Sequence, residues 1–273
     1  MLLRRSLLKS QRNVFNSFAS FNTVTAPIEG VKGVAKITMD LPPVNLMGKD
    51  FIQAMTKSIK EVEADKSINS LIIDSSQKVY SGGLNLKEFY GASKDELIDF
   101  WKAFRELWIT IYKSRLATIS SIQGPCLAGG CLLAIACDVR IISANCNIGL
   151  NEAAFGLVVP PWAIESMIDI IGRREAEKAC SLGTLYSAEE ALSLGLVDTL
   201  VQSPDDVPAI TIQEAQKWTT PGRVPTKMLM RGKFVKQFMI DEAEDLDRFY
   251  QLVGNERTQA ALGMYLASLG KKK

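Results

Sequence analysis

Residues 121–141, "SIQGPCLAGGCLLAIACDVRI", change their hydrophobic rhythm twice. The apolar run closing on "SIQG" reads as a strand, "GPCLAGGC" as a loop with a glycine pair entering a helix, and "VRI" as the start of another strand. Strand, helix and strand in so short a span predict parallel pairing through right-handed crossovers. Working outward, the alternation continues. Upstream, "GVAKITMD" reads as a strand, and "LPPVNLMGKDF" breaks it with two prolines before a helix reaching about residue 64. Phe51, Ile52, Met55, Ile59 and Val62 recur there at helical spacing. "INSLIIDSS" reads as a buried strand and "YSGGLN" as the turn after it. A second helix is predicted over about 94–114, where Phe100, Trp101, Phe104, Leu107, Trp108 and Ile111 make one stripe whose simplest role is core packing.

Downstream of about residue 160, helical patterns dominate. "SAEEALSLGLVDTLV" opens with Ser187 and Glu190 at capping-box spacing. "VPTKMLMRGKFVKQFM", "DEAEDLDRFYQLVG" and "NERTQAALGMYLASLG" read as amphipathic helices. There is no internal repeat.

A chain of 273 residues can bury one sizeable core. No apolar run approaches the ~20 residues of a spanning helix, which predicts a soluble protein. Residues 1–28 hold Arg4, Arg5, Lys9 and Arg12, several serines and no acid, interleaved with leucines, the composition of a mitochondrial transit peptide. The formal net charge is +2, so without those four cations the body stands at −2, a poor generic match for nucleic acid. Histidine is absent, and Cys126, Cys131, Cys137, Cys146 and Cys180 lack zinc-site spacing. Structural zinc, a Ser-His-Asp triad and Cys-His catalysis therefore drop out, and the cysteines read as small core residues in a reducing compartment.

Three features carry chemistry. "SGGLN" (residues 81–85) and "AGGC" (residues 128–131) each follow a strand, and the second opens a helix, whose free N–H groups and partial positive charge favour an anion. Singly, each is more often mere turn chemistry, and neither matches a phosphate or dinucleotide fingerprint. The third is "NIGLNEAAFGLVVP" (residues 147–160), where Glu152 is the one acid in an apolar run. Such a carboxylate is paired, or protonated with a raised pKa.

Together "PPVN", "YSGGLNLKEF", "SIQGPCLAGGCLLAIACDVRI", "IGLNEAAFGLVVP" and "SAEEALSLGLVDTLV" resemble the enoyl-CoA hydratase/isomerase (crotonase) superfamily, nearest to its mitochondrial members that shift a double bond. The resemblance runs in order from about residue 30 to the C-terminus. It implies an α/β fold, a crotonase-type spiral of ββα units over residues 29–200, followed by a C-terminal helical region over 201–273. It also implies an acyl-CoA substrate, with CoA part of that substrate and no separate cofactor or metal, a homotrimer, and a place in the mitochondrial matrix. The backbone N–H groups of Leu84 and Gly129 would bind the thioester oxygen, with Gly82, Gly83, Asn85, Leu86 and Asn151 lining the CoA thioester region.

Hydratases of the superfamily carry a second catalytic glutamate after the "GGC" of the second turn, where this chain has Leu132. Adding water needs one group to activate the water and another to supply a proton. Moving a double bond from carbon 3 to carbon 2 needs only one proton lifted and returned. The pattern therefore implies isomerisation by Glu152 alone, with Leu132, Phe155, Leu157, Val158 and Trp162 excluding water. A hydratase or another crotonase-type acyl-CoA enzyme is the runner-up. An RNA-binding homologue is the rival from another class, disfavoured by the missing basic patch.

Overall fold

The computed structural model describes residues 23–238 and 241–270. The expected transit peptide therefore lies, up to residue 22, outside the described residues. The strand Thr23–Pro27 (β1), at the end of that expected leader, runs antiparallel to Val34–Met39 (β2).

From β2 onward a strand, a short strand and a helix recur four times. β2 leads to Leu46–Met47 (β3) and helix Lys49–Ala64 (α1). Ser70–Ser75 (β4) leads to Gly83–Leu84 (β5) and Lys94–Tyr112 (α2). Ala117–Ile122 (β6) leads to Cys126–Leu127 (β7) and Gly129–Ala136 (α3). Val139–Ser143 (β8) leads to Asn147–Gly149 (β9), a 3-10 turn Glu152–Phe155 and Pro161–Ile171 (α4). Arg173–Leu182 (α5), Tyr186–Ser187 (β10), Ala188–Ser193 (α6) and Thr199–Val201 (β11) follow. The chain closes with Val207–Lys217 (α7), Arg223–Phe238 (α8), Glu242–Val253 (α9) and Glu256–Gly270 (α10). These are the repeated ββα units that the resemblance implies.

The long strands make one sheet in the order β1-β2-β4-β6-β8-β11, parallel from β2 onward. Both faces of this sheet are covered, so its inner strands are buried almost throughout, polar positions such as Thr118, Ser120 and Ser121 included. Leu71 and Ile73 face the main core with the stripes of α1 and α2, while Ile72, Ile119 and Ile141 face a second cluster closed by Val207 and Ala215 of α7. α7 thus completes the sheet's second layer, tied by Ser70 Oγ donating to Ala215 O at 2.7 Å. The short strands pair among themselves, β3 with β5 and β7 with β9, and a bridge between Ser81 and Cys126 links the two ladders. The capping boxes at Ser93/Glu96 and Ser187/Glu190 start α2 and α6.

α8 is held by charge. Asp138 accepts from the Thr118 N–H at 2.8 Å, the Lys227 ammonium lies 2.7 Å away and the Arg231 guanidinium 3.0 Å away. Burial pulls the Lys227 pKa down to about 8, with Asp138 opposing it. Removing one partner of a buried pair strands the others, which costs far more than the pair contributes. Asp138→Asn should therefore lower the unfolding free energy by about 3–5 kcal/mol in urea denaturation. A loss under about 1 kcal/mol would show that α8 does not depend on this cluster.

Candidate active site

The first glycine turn is fixed from below by buried Asn45. Its Oδ1 accepts from Leu41 N at 2.8 Å, and its Nδ2 donates to Ser75 Oγ at 2.7 Å and Tyr80 O at 3.0 Å. Its carbonyl accepts from Ser81 Oγ at 2.8 Å, and that hydroxyl accepts the Gly83 N–H at 3.0 Å. Gly82 N–H reaches Val44 O and Asn85 N–H reaches Met47 O. An extended strand turns successive N–H groups to opposite sides, so the Leu84 N–H faces away from β3. Gly83, at φ +101°, supplies a bend that a side chain would strain.

The second turn enters α3. Ala128 caps it at φ 48°, with its N–H on Gly149 O at 2.9 Å. Gly129 and Gly130 are the first helical residues, whose N–H groups have no intrahelical acceptor. Here the two turns touch. A Cβ on Gly129 would stand 2.9 Å from Leu84 Cγ and 3.2 Å from Leu84 N, and one on Gly130 would stand 2.7 Å from Ser81 Cβ and 2.8 Å from Ser81 O. Ser81 also takes the Leu127 N–H on its carbonyl at 3.0 Å, so one buried serine is bonded to both turns. Leu84 and Gly129, some forty residues apart in the chain, are thereby brought side by side.

Glu152 starts the 3-10 turn that Gly156 ends in the left-handed conformation. Its Oε2 is sealed from solvent and has no hydrogen-bond partner. Burial pushes its carboxyl up to about 7, opposed in part by its own backbone N–H. Asn151 Oδ1 beside it is likewise buried without a partner. Two neighbouring buried acceptors with nothing donating to them point to a site built for a guest.

The cavity in front of Glu152 is walled by Gly82, Leu84, Asn85, Leu86, Leu132, Asn151, Phe155, Leu157 and Val158 among the residues expected from the sequence. Gly83 and Gly129 sit in the backbone behind that wall, and Val158, 57% exposed, stands at the mouth. Trp162 is displaced from the expected position: it is 1% exposed and packs on Trp101, Phe104 and Trp108 inside the core. Helix α4 turns that face inward, and Trp101 takes the place on the wall. Sequence reasoning also missed Phe89, Phe249, Val253, Tyr265 and Leu266. Their only signal was apolar spacing, which does not say whether a face meets core or ligand. Among the described residues on this wall Glu152 is the single acid and Lys87 the single cation. Among the described residues there is also no group of three or more His, Cys, Asp and Glu arranged to hold a metal ion, and no helix long and apolar enough to cross a membrane.

Residues 29–266 match the family model described as enoyl-CoA hydratase/isomerase. The chain is 38% identical over 251 residues to a rat protein named "Enoyl-CoA delta isomerase 1, mitochondrial", covering 90% of this chain and 86% of the relative. The human protein of the same name is 35% identical over 262 residues, covering 94% and 86%. Among solved structures, human mitochondrial delta3-delta2-enoyl-CoA isomerase superposes with a TM-score of 0.88 at 35% identity, over 92% of this chain and 99% of that one. An enoyl-CoA hydratase from Bacillus halodurans shares the fold at a TM-score of 0.80 and 20% identity, over 89% and 99%.

Because Gly130 approaches the Ser81 backbone so closely, Gly130→Ala must push the two turns apart. It should cost about 1–3 kcal/mol. Gly232→Ala, in open space on α8, should instead stabilise by roughly 0.5–1 kcal/mol. Equal thermal midpoints for the two variants would refute the close contact.

Proposed function

The chain belongs to the enoyl-CoA hydratase/isomerase family, and we propose that it converts 3-cis- or 3-trans-enoyl-CoA to 2-trans-enoyl-CoA, the double-bond shift needed when unsaturated fatty acids enter β-oxidation. The mitochondrial names of the relatives and the Arg-rich, acid-free N-terminal segment support action in the mitochondrial matrix. The proposal includes a homotrimer, for which exposed Leu229 and Met230 of α8 offer apolar surface.

A single carboxylate on a mostly apolar wall carries this conclusion. In the proposed reaction, ionised Glu152 lifts a proton from carbon 2, and the electron pair moves onto the thioester oxygen. The N–H groups of Leu84 and Gly129, side by side where the turns touch, would hold that oxygen. The electrons then return to form the bond between carbons 2 and 3, the former double bond collapses toward carbon 4, and Glu152 delivers the proton there. A pKa near 7 suits a group that must both take and give a proton at neutral pH. Leu132, buried beside the site, offers no group to activate water, so hydration loses its second participant.

Glu152→Gln keeps the shape but cannot accept the proton. Turnover of 3-hexenoyl-CoA should fall by about 10²–10⁴-fold with acyl-CoA affinity retained. In the unaltered protein, kcat/KM should rise with pH through about 7 and then level, because the carboxylate form is the base. A folded Glu152→Gln protein with full turnover would exclude the mechanism.

Leu132→Glu places a second acid in the site. It should raise the hydration of 2-hexenoyl-CoA, read as 3-hydroxy product, while destabilising the fold by about 1–3 kcal/mol or more. Substantial hydration by the unaltered protein would instead favour the hydratase alternative.

A further inference from the structure

Four side chains on two helices close on one another, and two of them, Trp101 and Phe249, line the cavity. Trp101 and Arg105 lie one turn apart on α2, and Asp245 and Phe249 lie one turn apart on α9. Trp101 Nε1 donates to Asp245 Oδ2 at 3.0 Å, and Arg105 Nε lies 3.5 Å from the same oxygen. Arg105 Nη1 also reaches Glu242 Oε2 at 3.2 Å. Phe249 lies flat on the indole, with ring centroids 4.2 Å apart and planes 4° apart, and Phe89 meets Phe249 edge-on at 5.7 Å. The indole therefore has its polar edge tied and its face covered, so it has no room to swing.

Exposure differs around the cavity wall. Lys87 and Val158 are exposed, whereas Leu132, Phe89, Trp101, Phe249 and Val253 are buried. CoA is a polyanion that keeps its water, so it belongs against the exposed residues, and the hydrocarbon beyond carbon 4 belongs against the buried ones. Resting on the reading of the substrate as an enoyl thioester, we propose that the stacked Trp101–Phe249 pair is the end wall that sets the acyl-chain length. A chain that stops short of the indole is fully accommodated. A longer one must break the clamp between α2 and α9 or leave carbons outside.

Binding of saturated acyl-CoAs reads this without turnover. With the full chain and calorimetry from butanoyl- to hexadecanoyl-CoA, affinity should climb about 4-fold per added methylene, then break to a plateau or a fall where the wall is met. Phe249→Ala should move that break to chains longer by about two carbons or more and raise the kcat/KM ratio of 3-dodecenoyl- to 3-hexenoyl-CoA by at least about 10-fold. Phe249→Leu should move the break less in the same direction, and Val253→Phe should move it to shorter chains. These two decide the matter if Phe249→Ala does not fold. An unbroken climb in the unaltered protein, an unmoved break in the folded variants, or no acyl-CoA binding at all would overturn the wall. A break that moves as stated in a protein that does not isomerise 3-enoyl-CoA would uphold the wall and overturn the reaction.

Discussion

The contact between two backbone segments, at Ser81–Leu84 and Gly129–Gly130, is the constraint from which the rest of the site follows. The two glycines leave no room for a Cβ, because the space it would take already holds Leu84 Cγ and N and Ser81 Cβ and O. Glycine backbone packed this closely tolerates little slack, since a displacement of about half an ångström to one ångström already forfeits a quarter to a half of the attraction. The buried Asn45–Ser81–Gly83 hydrogen-bond chain holds one side in register, and the parallel sheet that delivers β6 to β7 holds the other.

Glu152 is the energetic opposite of that contact. A carboxyl group whose Oε2 is buried without a partner in a mostly apolar cavity costs stability, and the cost appears as a pKa near 7. The sign is definite. With the folded pKa above the usual value, stability is fullest when the pH is below the unfolded pKa and declines as the pH rises through the folded one. The fold tolerates this because its strain is local, on a short 3-10 turn, while the sheet is covered on both faces by apolar side chains. The charged groups of the core are treated differently: Asp138 and Asp245 are both bonded to cations or N–H donors, and each fixes a helix that closes over the spiral.

Those closing helices are part of the site as well as its cover. α9 brings Phe249 and Val253 to the cavity wall, and α10 brings Tyr265, whose ring centroid lies 4.4 Å from that of Phe155 on the same wall as Glu152. The cavity is thus a joint product of the ββα units, which supply the two glycine turns and Glu152, and the C-terminal helices, which supply much of the hydrocarbon surface.

By itself the sequence determined the long strands and helices, because a buried face repeats every second or every 3.6 residues and leaves that period in the chain. It also singled out Glu152 and the two glycine pairs, because an isolated acid among apolar residues and paired glycines are costly unless used. The short strands β3, β5, β7 and β9 were invisible, since two or three residues carry no period; "YSGGLN" read as a plain turn although Gly83–Leu84 pairs with β3. Only the tertiary structure decided which tryptophan meets the cavity. Trp101 and Trp162 both sit in apolar helical patterns, and the choice between them depends on how α2 and α4 rotate against α9, whose Asp245 and Phe249 take hold of Trp101 from more than a hundred residues away. Period encodes that a face is buried; what it is buried against is a property of the partner, and the partner is chosen by packing.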